Sequence, residues 1–217
     1  MTTEALAAQV RKYNTNVVIL PNYLPESTLD IPVPSRRQPP GDGTVVVGWG
    51  GSPTHEQDWM QAARAVRTTL DEHPNVRMRF LGTAYALGLP RSTVDYLGWT
   101  RDIDQHYRRV VRFDIGLAPL SNATFNKAKS WLKVAEYMML GVPAVASPLP
   151  EYAALIDHGT NGFLAKSPVD WEKILRELVN NAELRQIVGL KAREKAAAEL
   201  TIEANITKWE QAYESLL

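Results

Sequence analysis

Residues 44–73 read TVVVGWGGSPTHEQDWMQAARAVRTTLDEH, and this stretch decides the fold. Val45, Val46 and Val47 form a short β-branched run, which reads as a strand apolar on both faces. Gly48, Gly50 and Gly51 follow at once. Beyond them a helical pattern runs to about His73, with Ser52 or Thr54 as its N-cap and the acids Glu56 and Asp58 in its first turn. A buried strand, a glycine loop and a helix together make one unit of a parallel sheet covered by helices.

The same alternation continues toward the C-terminus. Strands are predicted at 76–82, 94–99, 113–120, 142–147 and 162–165. Helices are predicted at 102–111, 130–140 and 150–157, then 168–180, 183–199 and from Thr201 onward. The expected fold is α/β, a doubly wound parallel sheet of Rossmann-like type over 44–200. Residues 201–217 are expected to form a separate final helix.

Toward the N-terminus the pattern breaks down. Residues 3–13 read as a short amphipathic helix and VVIL at 17–20 as a strand. Residues 22–43 carry Pro25, Pro32, Pro34, Pro39 and Pro40. Proline removes a backbone donor and fixes φ, so this stretch reads as a linker. A lone strand at 17–20 cannot satisfy its own backbone groups. Residues 1–21 are therefore expected to join the main sheet, to pair with another chain, or to be the remnant of a further domain.

Composition narrows the function classes. The 217 residues hold 24 Lys plus Arg and 24 Asp plus Glu, so no net field favours nucleic acid or an anionic membrane. There is no cysteine, which removes disulfides, zinc ribbons and thiol nucleophiles and fits a reducing, cytoplasmic compartment. No transmembrane run is present in the sequence, and the four histidines lack metal-ligand spacing. No metal and no cofactor is expected.

In an open α/β sheet ligands bind beyond the carboxyl ends of the strands. The first such junction is Gly48 to Thr54. It lacks the third glycine of the dinucleotide fingerprint and the Lys-Ser or Lys-Thr of a phosphate loop, so a plain tight turn and a phosphate cradle both stay open. No acid sits suitably after the second strand, which weighs against a nicotinamide cofactor. The second junction precedes SWLKVAEYMMLG at 130–141. Its helix is almost wholly apolar, interrupted only by Lys133 and Glu136. If Lys129 belongs to the first turn, Lys129, Lys133 and Glu136 lie at i, i+4 and i+7 on one face. Such a stripe is either a Lys133–Glu136 surface pair or a ligand site, two ammonium groups for a diphosphate and a carboxylate for hydroxyls.

The run Glu136 to Ser147, with Gly141 and Pro143, followed by Glu151, Gly159 and Gly162, resembles the C-terminal half of GT-B retaining glycosyltransferases of the group 1 type. The resemblance covers about residues 44–217, while 4–25 is similar to the last helix and strand of that family's N-terminal, acceptor-binding domain. It implies transfer of a sugar from a nucleotide diphosphate donor (UDP-, GDP- or ADP-sugar). It places ribose hydroxyls at Glu136 and the diphosphate at Gly50, Gly51 and Ser52 with Lys129 or Lys133. The base falls around Trp99 and Thr100.

The sequence departs from the family in two ways. The expected second glutamate falls on Ala128, which leaves Asn126, Lys127 or Lys129 for the donor sugar, or nothing; Asn126 is the candidate taken. The acceptor domain is represented only by residues 1–21, with the 201–217 helix crossing back toward it. The resemblance thus also admits a non-catalytic module that holds a nucleotide sugar and needs a separate N-terminal domain. In either case an exposed apolar patch is expected where residues 6–20 and the Trp209 helix meet, to be covered by that domain or by self-association.

Overall fold

The computed structural model describes residues 1–35, 43–86 and 88–215. Six strands form one sheet in the order β3-β2-β1-β4-β5-β6, with every neighbouring pair parallel. They are β1 (Val45–Gly51), β2 (Val76–Gly82), β3 (Val94–Leu97), β4 (Ile115–Ala118), β5 (Ala144–Ala146) and β6 (Phe163–Leu164). The order reverses between β1 and β4, so a crevice opens beyond the carboxyl ends of these two strands.

Nine helices are described: α1 (Glu4–Val10), α2 (Glu56–Glu72), α3 (Ile103–Val110), α4 (Thr124–Lys127), α5 (Leu132–Met139), α6 (Pro150–Leu155), α7 (Pro168–Asn180), α8 (Ala182–Glu199) and α9 (Ile202–Glu214). No helix among the described residues is long and apolar enough to cross a membrane. Strand side chains alternate between two cores, which is why the strands read as continuous apolar runs. Val45, Val47 and Trp49 face α2 and α7, beside Trp59, Phe80 and Leu175. Val46 faces the opposite layer with Phe113, Tyr137, Met138 and Ala192.

The expected doubly wound sheet is therefore present, and its elements are shorter than the sequence pattern by one to three residues at several ends. The N-terminal segment differs more. Residues 17–20 form no strand. The Leu20 N–H donates to the Met1 carbonyl at 2.8 Å instead, and the run pairs with none of the six strands. The segment docks at the start of α5: the Thr3 hydroxyl donates to the Ala128 carbonyl, Asn22 to Ser130, and the Trp131 indole to the Asn22 carbonyl.

The predicted linker is also docked over its described part. Residues 26–30 form a 3-10 turn, and Leu24 and Ile31 are buried in the core. Leu24 pairs with the chain around Thr201, and the Arg193 guanidinium on α8 donates to the carbonyls of Leu29 and Met139. Residues 36–42 of the predicted linker and 216–217 of the predicted 201–217 helix lie outside the described residues.

Candidate functional site

A cleft of about 310 Å³ lies at the carboxyl ends of β1, β2 and β3, closed on one side by α5. Gly50, Gly51 and Ser52 form one wall, Trp99 and Thr100 a second, and Leu132, Lys133 and Glu136 a third. Of these eight residues all but Leu132 are sequence-predicted site residues, and they meet here through three separate junctions of the chain. At the back of the cleft, Gly82 has φ +91°, and a Cβ there would lie 2.7 Å from both the Gly51 carbonyl oxygen and the Trp99 ring. Only glycine lets β1 and Trp99 approach this closely.

Two other predicted residues do not reach the cleft wall. Lys129 precedes α5 in a turn and does not lie on the helix, because the polar loop folds into the one-turn helix α4. Its ammonium sits 3.4 Å from Asp58 Oδ2 and over the Phe125 ring. Asn126 is only 5% exposed, and its carboxamide donates to Asp58 Oδ1 at 2.5 Å and to Ser121. The donor group of Asn126 is thus engaged inside the protein.

Lys133 and Glu136 do share the cleft face of α5. Lys133 donates to the Gly50 carbonyl and lies 5.1 Å above the centre of the Trp49 ring. Burial, partly offset by Glu136, pushes its pKa down to about 8. Glu136 points the other way, with Oε2 3.7 Å from His106 Nε2. The alternative of a simple Lys133–Glu136 surface pair is therefore not what is seen. The ammonium already spans from α5 to the glycine loop, leaving the carboxylate beside the Trp99 side of the cleft.

Sequence reading missed four contributors. His55, His106 and Arg109 line the cleft, and the Arg109 guanidinium donates to the Gly98 carbonyl at 2.8 Å. His106 and Arg109 are spaced i, i+3 on a helix that starts just after the Leu97-Gly98 strand end. That position was the available signal. Asp58 is the fourth. It is 4% exposed and gathers the Ser121 N–H and hydroxyl, the Asn126 amide, His55 Nδ1 and Lys129. Burial alone would raise its pKa, but these donors hold it below the ordinary carboxylate value. Trp99 is 63% exposed, so one face of the indole is open to a flat partner. Among the described residues, no group of three or more His, Cys, Asp or Glu could hold a metal ion.

A cleft at the strand-order switch, with a cation, a carboxylate, backbone amides and an open aromatic face, can bind a molecule combining a ring, hydroxyls and an anion. Residues 44–181 match the protein family described as Glycosyl transferases group 1. A search of curated proteins returns no match.

Solved structures match the fold over nearly the whole chain. A TarM variant from S. aureus, solved with fondaparinux, alpha-GlcNAc-glycerol and UDP, is 18% identical with a TM-score of 0.73, covering 97% of this chain and 42% of its own. The C-terminal domain of the glycosyl transferase group 1 protein LpcC from Francisella tularensis is 19% identical with a TM-score of 0.64, over 82% of this chain and 99% of that domain. HepE from Anabaena, in complex with UDP and glucose, is 20% identical with a TM-score of 0.70, over 92% of this chain and 56% of its own. The chain thus spans about half the length of TarM and HepE, and about the full length of an isolated C-terminal domain.

Proposed function

Because the chain belongs to the glycosyl transferases group 1 family, we propose that its cleft binds a nucleotide diphosphate sugar and that it is the donor-binding half of a glycosyltransferase. One observation carries the reading: the glycine loop, Lys133, Glu136 and Trp99–Thr100, distant in sequence, line a single cleft. On this reading the diphosphate lies against the Gly50–Ser52 loop and Lys133, ribose hydroxyls donate to Glu136, and the base rests on Trp99 and Thr100. In the reaction the bond from the sugar's anomeric carbon to the diphosphate breaks and a bond to an acceptor oxygen forms. Negative charge then collects on the leaving diphosphate, where a fixed ammonium and backbone amides stabilise it. UDP is present in the TarM and HepE structures, which favours a uridine donor over GDP- or ADP-sugar.

Residues 44–200 would then form the donor domain, 1–21 the remnant of an acceptor domain joined to it by the 22–43 segment, and 201–217 a helix crossing back toward the acceptor side. A second reading is favoured by a specific surface. Pro21, Tyr23, Leu132, Ile202, Trp209 and Tyr213 line an apolar groove of about 600 Å³. Ile202, Ile206 and Tyr213 are 40%, 45% and 62% exposed. Such a surface suits a binding module that turns over only with a separate acceptor-binding domain seated there.

The test is calorimetric titration with UDP, GDP, ADP and their sugars. One nucleotide series should bind, and Glu136→Ala should weaken it about tenfold by losing hydroxyl hydrogen bonds to a charged acceptor. Equal binding by the variant, or no binding at all, would overturn the assignment. Release of free sugar or transfer to added acceptors on the same samples separates an enzyme from a binding module.

A further inference from the structure

His55 is a cleft residue that the donor reading leaves without a task. It is held from two sides. Its backbone N–H donates to the Tyr85 hydroxyl at 3.1 Å, and that hydroxyl donates in turn to the Ser52 carbonyl at 3.0 Å. Its Nδ1 lies 2.8 Å from Asp58 Oδ2, and its ring stands edge-on to Trp49. The carboxylate is acceptor-only when ionised, so Nδ1 carries the proton and Nε2 presents its lone pair. The opposite edge of the ring lies alongside Gly51, where a Cβ would come 3.3 Å from Cδ2, and forms part of the cleft wall. Among the described residues Nε2 has no hydrogen-bond partner.

Asp58 is itself fixed by four further donors, so the imidazole is aimed by a rigid anchor. The two sides of the pair are unequal. Asp58 is buried and saturated, whereas His55 opens onto the loop that would carry a diphosphate.

We propose that His55 is a ligand of the donor's diphosphate that takes up a proton as the nucleotide binds, with Asp58 as its positioning residue. This rests on the donor reading above. The proton comes from the buffer, moves to Nε2 and makes that atom a donor to a phosphate oxygen. Asp58 Oδ2 receives the other N–H and balances the imidazolium.

The groups facing His55 agree with this. Without a ligand, burial holds its pKa below the ordinary histidine value. Lys129 from the α4–α5 turn and Lys133 from α5 push the same way, and Asp58 from α2 opposes them. Tyr85 faces its backbone, and Glu56, next in the chain, is exposed to solvent. At pH 7 the neutral form of His55 is therefore favoured more than in an ordinary histidine. An arriving dianion favours the charged form.

Lys133 cannot mimic the effect. With a pKa of about 8 it is already some nine-tenths protonated at pH 7 and has only about 0.1 proton left to gain.

The experiment is titration of the full chain with UDP, GDP and ADP at pH 7 in buffers of different ionisation enthalpy, for the wild type and His55→Gln. Thermal unfolding of each protein checks that it folds. The wild type should take up about half a proton or more above the variant, and the variant should bind about tenfold more weakly. Nitrogen chemical shifts of His55 should show the Nδ1–H form in the wild type and a tautomer mixture in Asp58→Asn. Nucleotide binding with equal affinity and equal proton uptake in wild type and His55→Gln would overturn the inference while leaving the donor site intact. Failure of the wild type to bind any of the three would overturn the donor reading and this inference with it.

Discussion

Two cations drawn into the protein, Arg185 fully buried and Lys133 half-buried, are used in different ways. Arg185 on α8 is 1% exposed, and its Nη1 donates to the carbonyls of Leu178 at 2.6 Å and Val179 at 3.0 Å. It closes the C-terminal end of α7, where carbonyls lack intrahelical partners and a positive charge complements the helix dipole. Lys133 on α5 also meets a carbonyl, that of Gly50, but its remaining donors face a cleft. Burial of a charge therefore does not mark a functional site. What distinguishes the two is whether the protein has consumed the charge or left it turned toward open space.

The sharpest break of this contrast is Arg185→Leu. Two buried carbonyls would lose their donor, and stability to urea should fall by about 3 kcal/mol. Nucleotide affinity should stay within twofold of wild type. A comparable loss of affinity would show that Arg185 is tied to the cleft after all.

Lys133→Met should behave in reverse. The pKa of Lys133 is lowered on folding, so the native state binds its proton less tightly than the unfolded chain does. Its charge costs stability at neutral pH, and that cost disappears only above its unfolded pKa. The variant should unfold at the same or a higher urea concentration at pH 7. Nucleotide binding should weaken about thirtyfold, or about 2 kcal/mol. A destabilised variant with intact binding would move Lys133 into the structural class.

The smallest effect concerns pH. In His55→Gln protein, where Lys133 is the cleft lysine that loses its charge in this range, affinity should fall up to about tenfold between pH 7 and pH 9. Lys133, with its pKa of about 8, is mostly charged at the first value and mostly neutral at the second. A flat profile would remove Lys133 from the anion's environment, and Lys133→Met in the same background should be flat by construction.

The contrast also explains what the sequence could reveal. Lys133 and Glu136 stand out because they interrupt an apolar helix, and both reach the cleft. Arg185 sits in AELRQIVGLKAREK, where charges are frequent and none looks buried. The alternation of strands and helices from 44 onward was legible because each strand is apolar on both faces. The VVIL run at 17–20 carries the same local signal and forms no strand, since a strand also needs an edge to pair with and only tertiary structure supplies one. The proline-rich stretch read as a spacer, yet Leu24 and Ile31 are core residues and Arg193 ties it down. Those contacts link residues more than 160 apart in the chain in the case of Arg193 and Leu29. Lys129 and Asn126 lie off the cleft wall because one turn of helix at Thr124–Lys127 draws them toward Asp58. His55 is a single polar residue just past the glycine loop with no spacing signature, and the i, i+3 pair His106 and Arg109 on α3 looks like an ordinary solvated helix face.

The Tyr85 hydroxyl, bridging the Ser52 carbonyl and the His55 N–H, has a thermodynamic consequence. A glycine-rich loop left to itself samples many conformations, and a ligand that orders it loses affinity to the entropy it removes. Here the loop is already confined when the protein folds, so that entropy is surrendered in the folding equilibrium. Binding at this loop begins from a narrow ensemble and leans on enthalpy. Replacing one phenolic oxygen, as in Tyr85→Phe, would shift that disorder back into the free protein without touching any atom that meets the ligand.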